Sequence, residues 1–409
     1  MPRQANTRFA PRLLIVAAFF SLIAAPVMAQ VELVVWHGYR GGEKDAFGKV
    51  VDAYNASMAG KVKVKTLAVP YDAYPDKITA AVPRGKGPDV FIFAQDRLGG
   101  WVEAGNTIEP IDFYLDDDLI ARFIDSTMEA MTYQGTVYGL PLNYKVITQI
   151  YNKKLIENPP KTSAELVATA GKLTDKAVGK FGLAYPYNDV YYHAALMNAF
   201  GGGVFDGKRK PILDQAPNVQ ALEYMMKWFQ KDGILPAEPS TALITSLFNE
   251  GKAAIVFSGP WFLGEVADGV DYGLAPLPTI DETGQPMKPW MTVEGAYVAE
   301  PSKHKDEAFD FVVYLTSVEA AKVLALEGRQ TPANKAVYDE AEVQRDETLQ
   351  AFRAQVAAAV PMPNVPEMTM MWSPATTAMN LIVKGTSSPA AAMERAQEEV
   401  KERIQALRR

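Results

Sequence analysis

Residues 31–94 alternate between strand and helix periodicities, and that alternation limits the fold more than any other feature. Val31–Trp36 alternates and then runs apolar, as a buried strand does. Trp36-His37-Gly38-Tyr39-Arg40-Gly41-Gly42 reads as a turn. From Glu43 to Asn55 the residues Phe47, Val50, Val51 and Tyr54 recur at helical spacing. Lys61–Val69 is a second strand, and a helix from about Tyr74 to Val82 follows. Gly87-Pro88-Asp89 then leads into a third apolar strand, Val90–Ala94. Strand, helix, strand, helix, strand predicts an α/β fold with a parallel sheet and helices on both faces. Ligands of such sheets collect at the carboxyl ends of the strands, where Trp36–Glu43 and Gln95-Asp96-Arg97 fall.

Ahead of this region stands a segment with a different logic. Arg3, Arg8 and Arg12 precede an apolar run from Leu13 to Ala25, and Val27-Met28-Ala29 ends it with small or modest side chains. Basic start, short apolar core and small-residue exit predict a cleavable secretory signal over residues 1–29. As a helix the apolar run spans only ~20 Å, too short for a bilayer core. Loss of its three arginines takes the formal charge from −7 to −10, which argues against a nucleic-acid partner. The chain has no cysteine, hence no disulfide, thiolate nucleophile or cysteine-borne lipid anchor. A free periplasmic protein is the expectation. Its roughly 380 mature residues exceed what one core usually supports, so two lobes are expected.

The middle of the chain supports more than one crossing between them. Val137–Tyr151 is a long extended stretch. Helical runs follow at Ala164–Leu173, Tyr191–Phe200, Val219–Gln230 and Thr241–Glu250, with short strands at Phe181–Ala184 and Ala253–Phe257. Further helices are expected at Lys303–Leu315, Glu319–Ala325 and Ala390–Leu407.

Motifs for catalysis are poor. Gly202 to Lys208 fits the first seven places of a P-loop, but Arg209 stands where Ser or Thr must hold magnesium, and Lys210-Pro211 continues as a turn. His37, His193 and His304 are far apart and form no HExxH arrangement. Asp116-Asp117-Asp118 reads as a helix start rather than a calcium loop. No metal or cofactor is expected.

Aromatics next to charges stand out instead. Trp36 and Tyr39 adjoin Arg40 and Glu43; Phe93 is close to Asp96 and Arg97. Tyr185, Tyr187, Tyr191 and Tyr192 surround Asn188 and Asp189. Trp261 follows Gly259-Pro260, and Trp372 sits in a methionine-rich stretch after Pro363 and Pro366. A sugar ring stacks its apolar face on an aromatic plane and offers edge hydroxyls to charged partners, the stronger kind of hydrogen bond. Two or three stacked faces at ~0.5–1.5 kcal/mol each, with a few charged hydrogen bonds, reach roughly micromolar affinity.

Several runs resemble the maltose/maltodextrin-binding proteins of ABC importers, in order and over nearly the whole mature chain. They are Ala94-Gln95-Asp96-Arg97-Leu98-Gly99-Gly100, Ile150-Tyr151-Asn152-Lys153-Lys154-Leu155, Phe248 to Ala254, Ser258-Gly259-Pro260-Trp261, and Met362-Pro363-Asn364-Val365-Pro366. The resemblance implies a type II periplasmic-binding fold of two α/β lobes closing about a hinge. It implies a first lobe of residues 30–143 and 293–346, and a second of 144–292 and 347–409. The expected partners are a glucose-containing oligosaccharide and the membrane subunits of an importer, with the chain itself a monomer.

By the same resemblance Asp96 and Arg97 hydrogen-bond sugar hydroxyls, with Glu43, on the loop begun by Trp36, as a further partner. Trp261, Trp372 and Tyr191 stack on glucose faces, and Asp189 is an acidic contact beside Tyr191. Four places depart from the pattern: Lys145 replaces a ligand-binding glutamate, Phe93 a tryptophan and Ser373 an aromatic, and the first loop carries Arg40 where an acid and a lysine are expected nearby. These departures leave trehalose, cyclodextrin and longer maltodextrins open as ligands. The alternative from another class is a secreted glycoside hydrolase, which also needs aromatics and two carboxylates.

Overall fold

A computed structural model describes residues 1–2, 30–70 and 73–407, so nearly all of the expected signal, residues 3–29, lies outside the described residues. The first strand, Val31–His37, pairs in parallel with Val62–Ala68 along its whole length and with Val90–Ala94 near its end. Between the first two strands runs the helix Gly41–Ser57, which buries Ala46, Phe47, Val50, Val51 and Tyr54. Each large side chain among them contributes about 1.5–3 kcal/mol on leaving water.

This sheet is completed by chain from far downstream. The strand Trp290–Val298, termed the return strand below, lies antiparallel to Val90–Ala94 on one side and to Leu140–Lys145 on the other. Thr331–Pro332 adds an edge strand against Tyr144 and Asn143. Apolar side chains cover both faces, Leu33, Val35, Phe47 and Phe311 in one cluster, Phe91, Trp101, Tyr144 and Tyr297 in another.

A second sheet begins almost at once, because only Val146 and Ile147, both fully buried, separate Lys145 from the strand Thr148–Asn152. That strand sits between Tyr272–Ala275 and Ala253–Ser258, and Phe181–Ala184 closes the order. Gly182 lets this last strand approach the helix Ser163–Leu173: a β-carbon there would lie 2.2 Å from the Ala170 backbone. The helices Val190–Ala199, Ala216–Met226, Met368–Val383 and Pro389–Leu407 complete the second core.

The chain crosses between the sheets at 146–147, again before Trp290, and a third time beyond Val343. The first sheet runs past the breaks expected at 143/144 and 292/293, since its strands reach Lys145 and start at Trp290. The helix Glu347–Val356 straddles the third crossing. Its Leu349, Phe352 and Val356 join the core of the first sheet, while Gln355 Oε1 accepts a hydrogen bond from Leu277 N at 2.7 Å. Gln95 binds the crossings together, donating to Met291 O and Met362 O at 3.2 Å each and accepting from Val293 N at 2.8 Å.

Several sequence expectations are corrected here. The methionine-rich stretch that holds Trp372, for which no helix was expected, is the helix Met368–Val383, with Pro374 inside it. Tyr185 and Tyr187 are fully buried core residues packed against Phe257 and Phe229. The P-loop-like run is a tight turn, as its residues predict. Phe205 bridges to Pro211, Asp206 Oδ1 accepts from Lys208 N and Lys210 N, and Arg209 has φ of 60°.

Candidate functional site

A cavity of about 940 Å³ opens between the two sheets' lobes at the carboxyl ends of the first strands. Its first-lobe wall includes Tyr39, Arg40, Glu43, Phe93, Lys145 and Glu294; Pro260, Trp261 and Tyr272 face them from the second lobe. Four of the ten expected ligand residues therefore line it: Glu43, Phe93, Lys145 and Trp261. Trp36, Asp96, Arg97, Asp189, Tyr191 and Trp372 stand outside that lining.

Trp261 is the most exposed large aromatic of the cleft, at 41 %. The turn Gly259-Pro260 presents it at the end of the strand Ala253–Ser258, and its indole Nε1 donates to Tyr192 Oη at 3.3 Å. An aromatic row continues from it. Ring centroids lie 6.0 Å apart for Trp261 and Tyr191, 6.4 Å for Tyr191 and Trp290, and 5.8 Å for Trp290 and Trp372. Tyr191 Oη also reaches Lys145 O at 3.4 Å and Thr292 Oγ1 at 3.5 Å, touching both strands of the crossing. Trp290, only 2 % exposed, backs the row and offers no face of its own.

Asp189 caps the helix that carries Tyr191, accepting from Tyr191 N at 2.8 Å. Burial pushes its carboxyl above the usual range, and the Tyr191 N–H pulls it partly back. Asp96 and Arg97 lie on the turn directly after Val90–Ala94, with Arg97 Nε 3.4 Å from Asp96 Oδ2. Burial pushes the Asp96 carboxyl up to about 6 against the pull of Arg97.

Phe93 and Trp36 are chiefly wall. Phe93 packs edge-on against Tyr74 and Trp101, and Trp36 carries the Lys77 ammonium 4.5 Å from its ring centre.

The floor of the cleft is a polar network in which Glu43 and Lys145 were expected from the sequence, whereas Glu294, Asn143 and Gln330 were not. Lys145 Nζ lies 3.0 Å from Glu294 Oε1 and 3.9 Å from Glu43 Oε1. Burial raises the Glu43 carboxyl; Lys145 counters this and Glu294 adds to it. Asn143 Nδ2 donates to Glu294 at 2.9 Å and to Gln330 at 3.2 Å. The available signal was Glu294 itself, one acid inside the apolar run Trp290–Val298. Trp290 and Thr292 gave no comparable signal.

Two α/β lobes, repeated chain crossings beneath a cleft, and an exposed aromatic facing a charged wall define the two-lobed binding-protein class. The chain belongs to the bacterial extracellular solute-binding protein family, whose model matches residues 40–322. It is 35 % identical over 364 residues to a maltotriose-binding protein of Pyrococcus abyssi, covering 86 % of this chain and 78 % of that one. A galactooligosaccharide-binding protein of Bacillus subtilis is 30 % identical over 389 residues, covering 92 % and 90 %. Among solved structures, a cyclo/maltodextrin-binding protein complexed with maltotetraose superposes with a TM-score of 0.83. It is 31 % identical and covers 91 % of this chain and 97 % of that one. The expected periplasmic-binding fold is thus the one observed. Among the described residues no helix is long and apolar enough to cross a membrane.

Proposed function

We propose that this chain is the receptor of an ABC importer for maltodextrins, capturing an intact glucose oligosaccharide between its lobes and delivering it to the membrane subunits. The observation that carries the reading is Trp261 on the cavity wall with Glu43, Lys145 and Glu294, at the head of an aromatic row that runs behind it through Tyr191 and Trp290 to Trp372. Stacking faces on one side and charged hydrogen-bond partners on the other suit a sugar ring. The named ligands of the maltotriose-binding relative and of the maltotetraose complex support the same class.

In this reading Asp96, Arg97 and Asp189 join the ligand as the lobes close, a population shift toward the conformer in which both lobes touch sugar. The lobes divide near residues 145, 290 and 347, residues 1–29 direct export, and the mature monomer diffuses in the periplasm.

The galactooligosaccharide-binding relative supplies the competing ligand class. Calorimetric titration against maltose, maltotriose, longer maltodextrins, trehalose, cyclodextrin and a galactooligosaccharide tests the proposal. Tightest binding to an α-glucan supports it; preference for the galactooligosaccharide, or cleaved sugar in the recovered sample, overturns it.

A further inference from the structure

Family resemblance expects an acid at position 145, where this chain has lysine, and a carboxylate stands beside that lysine on a different strand. Glu294 sits where the register shifts between Glu294 and Gly295, an irregularity of the kind that re-aims a side chain. Its Oε1 accepts from Lys145 Nζ at 3.0 Å and its Oε2 from Asn143 Nδ2 at 2.9 Å. Asn143 in turn reaches Tyr39 Oη at 3.4 Å, on the loop that leads to Glu43. Both carboxylate oxygens thus hold protein groups. The Glu294 side chain is 9 % exposed and that of Lys145 28 %, so the ammonium is the more accessible partner on the cavity wall. An ammonium donates hydrogen bonds and accepts none; an ionised carboxylate accepts only.

We infer that Glu294 is a positioning residue that fixes the Lys145 ammonium as donor to one sugar hydroxyl, so that the cleft reads that hydroxyl as an acceptor. An acid at position 145 reads a hydroxyl there as a donor; the polarity of this contact is reversed in this chain. The inference deepens the proposed sugar reading and rests on it.

The test uses the tightest-binding oligosaccharide of the panel above, with its series of single deoxy and single deoxyfluoro analogues, titrated calorimetrically. Fluorine accepts a hydrogen bond weakly and donates none. At one hydroxyl position the deoxy analogue should lose about ten-fold in affinity, the scale of a charged hydrogen bond. The deoxyfluoro analogue should recover a clear part of that loss. Lys145→Met should abolish the difference between the two analogues. Glu294→Gln should shrink it while the melting temperature of the ligand-free protein stays close to wild type. If fluoro and deoxy analogues lose equally at every position, a carboxylate reads the hydroxyl and the inference fails. An unchanged difference in Glu294→Gln removes the role of Glu294. The analogue series needs only the wild-type chain, so a variant that does not fold leaves it decisive. Failure of maltotriose to bind sinks the maltodextrin reading alone, because the series is built on whichever sugar binds.

Discussion

The indole of Trp261 lies directly over Gly259: a β-carbon on Gly259 would sit 2.2 Å from the ring. The glycine leaves room for the aromatic platform, and the platform is held from its far edge by Tyr192. Gly259→Ala therefore has to push the ring aside. Its backbone φ of −104° is open to alanine, so the fold should tolerate the change. Sugar affinity should fall by roughly 1–3 kcal/mol, close to the loss for Trp261→Ala, as read by titration calorimetry. Wild-type affinity in Gly259→Ala would mean that the ring position is irrelevant to binding.

Arg209 joins the lobes away from the cavity. Its guanidinium donates to Glu103 Oε1 and Tyr133 Oη of the first lobe and to Glu367 Oε1, each at 2.8 Å. Glu367 is 1 % exposed and Glu103 partly open, so the two ion pairs differ in kind. Arg209→Met should cost about 2 kcal/mol or more in urea denaturation, because it breaks the ion pair to the buried Glu367 carboxylate. Glu103→Gln should cost less than about 1 kcal/mol. Arg209→Met combined with Glu367→Met should recover most of the loss.

His193 is buried on the helix Val190–Ala199, and burial lowers its pKa to about 4 from 6.5. The unfolded chain takes up this proton first, so stability from this group falls as pH drops from 6.5 toward 4. His37 acts in the same direction. Asp96 opposes them, since its raised carboxyl lets the folded state bind a proton earlier. His193→Leu removes one contribution and leaves the others in place. Between pH 7 and pH 4.5 its loss of unfolding free energy should be about 2 kcal/mol smaller than that of wild type. Parallel losses in both proteins would show that His193 does not titrate between the two states.

The local half of the fold was legible and the long-range half was not. Val90–Ala94 and Phe181–Ala184 stand where periodicity puts them, and the helix Gly41–Ser57 buries the apolar stripe its spacing predicts. The return strand escaped because its partners, Val90–Ala94 and Leu140–Lys145, are remote in sequence, and Glu294 interrupts its apolar run. Pro374 concealed the helix that carries Trp372, since proline inside a helix is normally disfavoured.

Residue type alone also could not separate wall from cleft. Tyr185 and Tyr191 come from one aromatic-rich run, yet one is core and the other borders the binding wall. What sorts them is the direction of a strand end and a helix start, which only the assembled lobes define. Position 145 shows the converse. A departure visible in sequence acquires its chemistry from Glu294, a neighbour across the sheet.

The proposed function requires an intact α-glucan between the lobes, on the row that Trp261 and Tyr191 begin. A crystal structure of the chain with maltotriose tests it most directly. The cleft should hold an uncleaved trisaccharide, with a glucose face on Trp261 and hydroxyls within hydrogen-bond distance of Lys145 and Asp96. Cleaved sugar, or sugar bound away from Trp261, would contradict it.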